Sequence, residues 1–278
     1  MTRSRGPIAA PNPDVLGIVP QRVTLAILKD ESMTLRESLI RTVYSIVASP
    51  TVGPIVERLK SVSERQTLRE LLTTLRIDCV IDVGANEGQY ARLLRRLGFT
   101  GLIISFEPNV DVFKAMQGTF AKDTSWRGQN CGLGSSDGEL DFNVFECSQI
   151  SSFLPGNDRV HSKVLRTEKV PVRRLDALLQ QVLPDWSKKR IFLKCDTQGF
   201  DVEVVKGAEG VMAAVYGLQS EIAAQSLYRG MPRYLEALSF YESLGFVLVD
   251  LWLNNRTVEG DALEYDCLMK RTGHEKLG

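Results

Sequence analysis

Residues able to do chemistry fall at the ends of apolar runs, spaced along the chain. Asp82, Gly84, Asn86 and Gly88 follow Cys79-Val80-Ile81, and Glu107-Pro108 follow the run ending at Phe106. Further on come Asn130-Cys131-Gly132-Leu133-Gly134, then Asp137-Gly138, Lys194-Cys195-Asp196-Thr197-Gln198-Gly199 and Ser220-Glu221. An apolar run closed by a glycine turn reads as a buried parallel strand, and helix-forming sequence follows it from Tyr90 to Leu97. Glycines there let the backbone approach a ligand, and the open N–H groups of the next helix face it. Open α/β sheets bind ligands at the carboxyl ends of their strands. These residues are therefore the candidate site, and several polar groups converge in it as a small-molecule site requires.

Their spacing separates two cofactor classes. A dinucleotide fingerprint would place glycines at 84, 86 and 89, and the chain has Gly84, Asn86 and Gln89. The alternative has an acid two residues before the first glycine and glycines at alternate positions. Asp82, Gly84 and Gly88 satisfy it, with Asn86 the departure. Glu107 stands where a strand-end carboxylate accepts hydrogen bonds from both ribose hydroxyls, a placement common to both classes. An acidic lining suits a sulfonium better than a pyrophosphate, so the residues favour S-adenosylmethionine.

Those residues need an α/β scaffold, and the remaining sequence supplies one. Strands are expected at 79–83, 102–106, 126–131, 140–145, 168–172, 190–195, 217–221, 245–251 and 263–270. Helices are expected at 88–97, 109–120, 173–182, 201–213 and 231–243. Such alternation gives a mainly parallel sheet with helices on both faces, and the last two strands, with no helix between them, form an antiparallel hairpin. The domain spans 78–272 and a polar tail 273–278. Ahead of it, 1–13 reads as a disordered arm and 14–77 as a helical extension. In that extension a capping box (Thr34, Glu37) opens one helix, and Leu68, Leu71, Leu72 and Leu75 line another over 63–76. Packing on the same domain is the simplest use of these helices; covering the site or forming a homodimer are the others.

The 34 basic and 34 acidic residues cancel, which argues against nucleic acid as the main partner. Five widely spaced cysteines with no C-x-x-C pair suggest reduced thiols, with Cys79, Cys195 and Cys267 as small core residues. The first thirteen residues do not form a signal peptide, and no run reaches the roughly 18 apolar residues of a membrane span. A cytoplasmic protein is expected.

Asp82-Val-Gly-Ala-Asn-Glu-Gly88, Phe106-Glu-Pro108, Leu175-Asp176, Leu193-Lys-Cys-Asp-Thr-Gln-Gly199 and Val205-Lys-Gly-Ala208 together resemble the FkbM family of S-adenosylmethionine-dependent methyltransferases. The resemblance covers about 79–270. It implies the seven-stranded class I fold, O-methylation of sugars or natural products, and Ala-Asn as an ordinary variant at 85–86. Gln198 and Asp201 stand where that family usually has Glu, which bears on acceptor identity and metal use.

Roles follow for individual residues. Asp82, Gly84, Asn86, Gly88 and Glu107 are assigned to the cofactor, with Asp82 near its amino group or loop. Asn130 is a candidate for the adenine rim. Methyl transfer requires an in-line arrangement and loss of the acceptor proton. With only His161 and His274 in the chain, His161, in a loop-like stretch within 148–167, is a candidate base, and Asp196 is the best-placed acid. Glu221 and Tyr228 are assigned to the acceptor. Asp196 and Glu221 could hold a divalent cation, but no third ligand at fixed spacing favours it. Lys194 is expected to point away from the acceptor. The resulting function is an O-methyltransferase acting on a sugar, glycolipid or natural product. A non-catalytic cofactor-binding scaffold and an NAD-dependent oxidoreductase are the alternatives.

Overall fold

The computed structural model describes residues 53–273. The arm 1–13, the capping-box helix over 34–49 and His274 lie outside the described residues. The described residues divide into two compact units between Leu71 and Leu72. Helix α1 (Gly53–Thr74) runs through that boundary, and Leu68 and Leu71 on its apolar face are buried.

The second unit opens with strand β1 (Cys79–Val83), helix α2 (Gln89–Arg96), β2 (Leu102–Phe106), α3 (Val110–Thr119) and β3 (Trp126–Gln129). Next come β4 (Gly132–Leu133), β5 (Gly138–Phe145), β6 (Val164–Arg173), α4 (Leu175–Val182), β7 (Ile191–Cys195) and α5 (Asp201–Lys206). It closes with β8 (Val215–Ala223), α6 (Tyr234–Ser243), β9 (Phe246–Arg256) and β10 (Ala262–Arg271). Seven strands form one sheet in the order β3-β2-β1-β7-β8-β10-β9. Only the pairings of β10 are antiparallel in it, because β9 and β10 form a hairpin inserted beside β8. The order reverses between β1 and β7, the switch point at which an α/β sheet opens a crevice.

Every residue of β1 and β7 is buried, as central parallel strands require. One sheet face carries Cys79, Ile81, Val83, Leu193, Cys195 and Leu218 into a core shared with Leu175, Leu179, Val204 and Tyr241. The opposite face carries a polar row. Parallel register aligns Ser105, Asp82, Lys194 and Gln219 on four adjacent strands. Period-two alternation therefore separates an apolar core face from a face able to do chemistry.

Two expected strands take another place. The segments 140–145 and 168–172 belong to β5 and β6, which with β4 form a separate three-stranded sheet rather than part of the parallel one. Gly132-Leu133 detach from the 126–131 run to pair with Val172-Arg173. The helix expected over 201–213 also divides: α5 stops at Lys206 and a 3-10 turn covers Glu209–Ala214. A β-carbon on Gly207 would lie 2.0 Å from Gly134 O, so close backbone contact fixes that break.

Candidate active site

Gly84 begins the site. Its φ of +72° and the 1.9 Å that would separate a β-carbon from Asp196 O leave room for glycine alone. The β1 turn therefore rests on the β7 turn, and the two strand ends act as one structure. Asn86 follows with φ +48°, a left-handed backbone that asparagine tolerates. That conformation points its N–H at Glu107 Oε2, 2.8 Å away, and its side-chain amide lies 3.3 Å from Ser148 Oγ. Gly88 closes the turn at the start of α2, packed against Phe120.

Glu107 is the best-defined acid at the end of β2. Its Oε1 accepts the Asn109 N–H at 2.8 Å and its Oε2 that of Asn86, so each oxygen keeps one lone pair direction for another donor. It is 6% exposed. Burial pushes its carboxyl up to about 7 against those two N–H donors. Asn130 braces the same strand end: its amide donates to Glu107 O at 2.9 Å and Pro108 O at 3.1 Å. That amide is engaged by the backbone beside the site.

Asp82 is wholly buried beneath the turn. Ser105 Oγ lies 3.4 Å from its Oδ2, and Lys194 Nζ lies 3.2 Å from its Oδ1. Lys194 also reaches Asp196 Oδ2 at 3.4 Å and Gly84 O at 3.4 Å. The expectation that Lys194 points away is thus overturned. Lys194 and Asp196 are two residues apart, and period-two geometry puts them on the same side. Burial opposes its charge, but the carboxylates of Asp196 and Asp82 outweigh it and hold the ammonium above its usual range. Removing one partner of such a buried pair costs about 3–5 kcal/mol.

Beyond Asp196 the acids cluster. Gln198 Nε2 donates to Asp196 Oδ1 at 3.1 Å and to Glu221 Oε2 at 2.8 Å. Its Oε1 lies 3.0 Å from the Tyr228 hydroxyl, which is also 2.7 Å from Ile150 O. The structure therefore brings Asp196, Glu221 and Tyr228 together through one side chain. Register then adds acids that the sequence reading passed over, since Asp266 on β10 lies opposite Glu221 on β8, with Glu264 two residues away on the same face. Burial raises Glu221 well above the usual carboxylate range, with Glu264 and Asp196 adding to it. Burial pushes both Glu264 and Asp266 up to about 7. Two acids at alternate positions inside an apolar strand, Glu264 and Asp266, were the available signal.

The segment after β5 ties these parts together. Ser148 meets Asn86, Ile150 O faces Tyr228, and buried Ser152 donates through Oγ to Gln198 O at 2.8 Å. The loop ends at Lys163, shorter than the expected 148–167, because 164–167 already belong to β6. His161, within this loop, is exposed and makes no hydrogen bond or ion pair with any described residue. Among the described residues no group of three or more His, Cys, Asp or Glu side chains is arranged to hold a metal ion. No helix among them is long and apolar enough to cross a membrane.

A switch point between β1 and β7, a glycine turn resting on β7 and a strand-end glutamate, on a sheet of this order, define a class I, Rossmann-like methyltransferase fold. The family follows from the sequence itself: the Methyltransferase FkbM domain matches residues 82–248, and the chain belongs to that family of S-adenosylmethionine-dependent methyltransferases. The nicotinamide alternative gives way to it.

No curated protein matches the chain. Solved structures resemble it at low identity. An rRNA methylase from Streptococcus thermophilus is 10% identical over 75% of this chain and 94% of its own, with a TM-score of 0.42. Aeropyrum pernix fibrillarin, solved with bound S-adenosyl-L-methionine, is 12% identical over 69% and 66%, with a TM-score of 0.40. A precorrin-6y C5,15-methyltransferase from Geobacter metallireducens is 13% identical over 74% and 89%, with a TM-score of 0.39. These likenesses say nothing about the acceptor.

Proposed function

We propose that the protein is an O-methyltransferase that moves a methyl group from S-adenosylmethionine to a hydroxyl of a small molecule or glycan, such as a sugar, glycolipid or natural product. The observation that carries this reading is Glu107. It is a buried carboxylate with one free lone pair on each oxygen, matching the two adjacent ribose hydroxyls of the cofactor. Gly84, Asn86 and Gly88 shape the turn beside it, Asn130 braces it, and Asp82 fixes the turn from below through Lys194. The cofactor, when bound, supplies a methyl group on a sulfonium, already activated for displacement.

The chain's own task is to position the acceptor and take its proton. Asp196 is the base in this reading. It is partly exposed at the end of β7, its Oδ1 receives the Gln198 amide and its Oδ2 faces Lys194. Those two partners orient the carboxylate, and positioned proton transfer contributes about 10²–10⁴-fold. Glu221 and Tyr228 flank it through Gln198 and line the acceptor side. Carboxyl oxygens suit hydroxyl donors, and the balance of 34 basic against 34 acidic residues favours such an acceptor over a polyanion.

His161 is the rival base. A labelled-methyl assay on cell extracts tests both roles. Asp196→Asn is expected to cut transfer at least 100-fold with cofactor affinity kept, and His161→Ala to leave it within threefold. The reverse pattern moves the base role to His161.

A further inference from the structure

The Gln198 amide is placed as a bridge between two acids. It gives one hydrogen to Asp196 Oδ1 and the other to Glu221 Oε2, at 3.1 and 2.8 Å. Its orientation is set by its surroundings. With the amide reversed, its oxygen would face the carboxyl oxygens of Asp196 and Glu221 in place of its two hydrogens. The backbone is committed to the same end. Gln198 has φ +53° and Gly199 φ +91°, two successive left-handed residues, and the buried Ser152 hydroxyl holds Gln198 O. A long polar side chain held at a strained position, 9% exposed and using all its hydrogen-bonding groups, has a defined task.

Geometry says what that task is. The two hydrogens of a planar amide point about 120° apart, so oxygens at these distances stand about 5 Å from each other. Opposite ligands of Mg²⁺ are about 4.2 Å apart and adjacent ones nearer 3 Å. The amide thus holds the pair wider than that cation can bridge, and its nitrogen fills the space between them. We propose that Gln198 is a specificity-determining residue of the acceptor pocket: it stands where a small divalent cation of Mg²⁺ size would bridge Asp196 and Glu221, and it keeps the pair a clamp for acceptor hydroxyls free of such a cation. The inference rests on the acceptor-side reading of those two acids.

The test uses the full chain and Mn²⁺ as probe, followed by the loss of its free paramagnetic resonance signal. The wild type is expected to bind no Mn²⁺ between these acids up to about 1 mM. Gln198→Glu, which replaces the amide with a third carboxylate, is expected to bind it at least tenfold more tightly, and Gln198→Glu with Glu221→Gln to lose that gain. Wild-type binding that Glu221→Gln abolishes, or a folded Gln198→Glu that binds no better than wild type, would overturn the proposal.

A second variant covers the case in which Gln198→Glu does not fold. Gln198→Met keeps the volume and removes both donors, so its melting temperature should fall further below wild type at pH 8 than at pH 5, because the amide hydrogens favour the ionised form of the Glu221 carboxyl, which burial holds well above its usual range. A gap that stays constant with pH overturns the bridge. The groups facing the pair in this comparison are Lys194, Asp82, Asp201, Glu264, Asp266 and Tyr228. S-adenosylmethionine binding, measured alongside, reads the cofactor assignment separately: its absence in wild type would contradict the proposed function and leave the Mn²⁺ comparison standing.

Discussion

At Glu107 a single carboxyl joins fold and function. Its ordinary value of 4.5 is raised by burial to about 7, so the folded chain holds it protonated in a range where the free side chain would be ionised. Ribose hydroxyls donate best to the ionised form. Cofactor affinity is therefore expected to be highest near pH 8 and to weaken as pH falls below about 7, by at most tenfold per unit. A titration series from pH 5.5 to 8.5 checks this, and Glu107→Gln should flatten the profile. The place of this residue at a strand end was readable from the apolar run before it. The two N–H groups that hold it were not, because they depend on the left-handed backbone of Asn86. Lys194 shows the same limit: its type was visible, while its partner Asp82 is set by the pairing of β1 with β7.

At the level of elements, apolar runs and glycine turns located nearly every strand of the large sheet. Cys79-Val80-Ile81 and Ile191-Phe192-Leu193 are continuous apolar runs because both sheet faces are covered there. The small sheet was less legible. Gly132-Leu133 is too short to announce itself, and β5 pairs with β6 across a loop whose length hides the partnership. The acids of β10 were hidden for a related reason. Glu264 and Asp266 sit in a strand expected only as one arm of the closing hairpin, and antiparallel register with β8 carries Asp266 to Glu221.

This crowding of acids has a measurable consequence. Asp266 has an ordinary value of 3.8 and is raised by burial, then by Asp196, to about 7. Its folded value exceeds its unfolded one, so it costs nothing below pH 4 and destabilises increasingly as pH rises toward 7. Asp266→Asn removes that cost while keeping an acceptor for Asn254. It is expected to gain about 1–2 kcal/mol at pH 8, less than the full shift because the site is partly solvated, and nothing at pH 4. Melting curves at the two pH values decide it; a gain of equal size at both would show that charge is not the cause.

For the whole molecule, family membership and sheet order define a methyltransferase, and the amide-bridged acid pair Asp196–Gln198–Glu221 lies at the end of β7, against which the Gly84 turn rests. A ligand that binds only the folded state stabilises it by about 2.7 kcal/mol at 100 times its dissociation constant. For a domain of this size that is a rise of about 5–10 °C in melting temperature. S-adenosylmethionine should produce such a rise and NADH none; a rise with NADH alone would return the site to dinucleotides. The most direct test of the central claim is isothermal calorimetry of S-adenosylmethionine at pH 8 with wild type and Glu107→Ala. A dissociation constant in the micromolar range is expected for the wild type, with at least a tenfold loss in the variant, about 1.4 kcal/mol or more. No heat of binding in the wild type, or equal affinity in the two proteins, would contradict it.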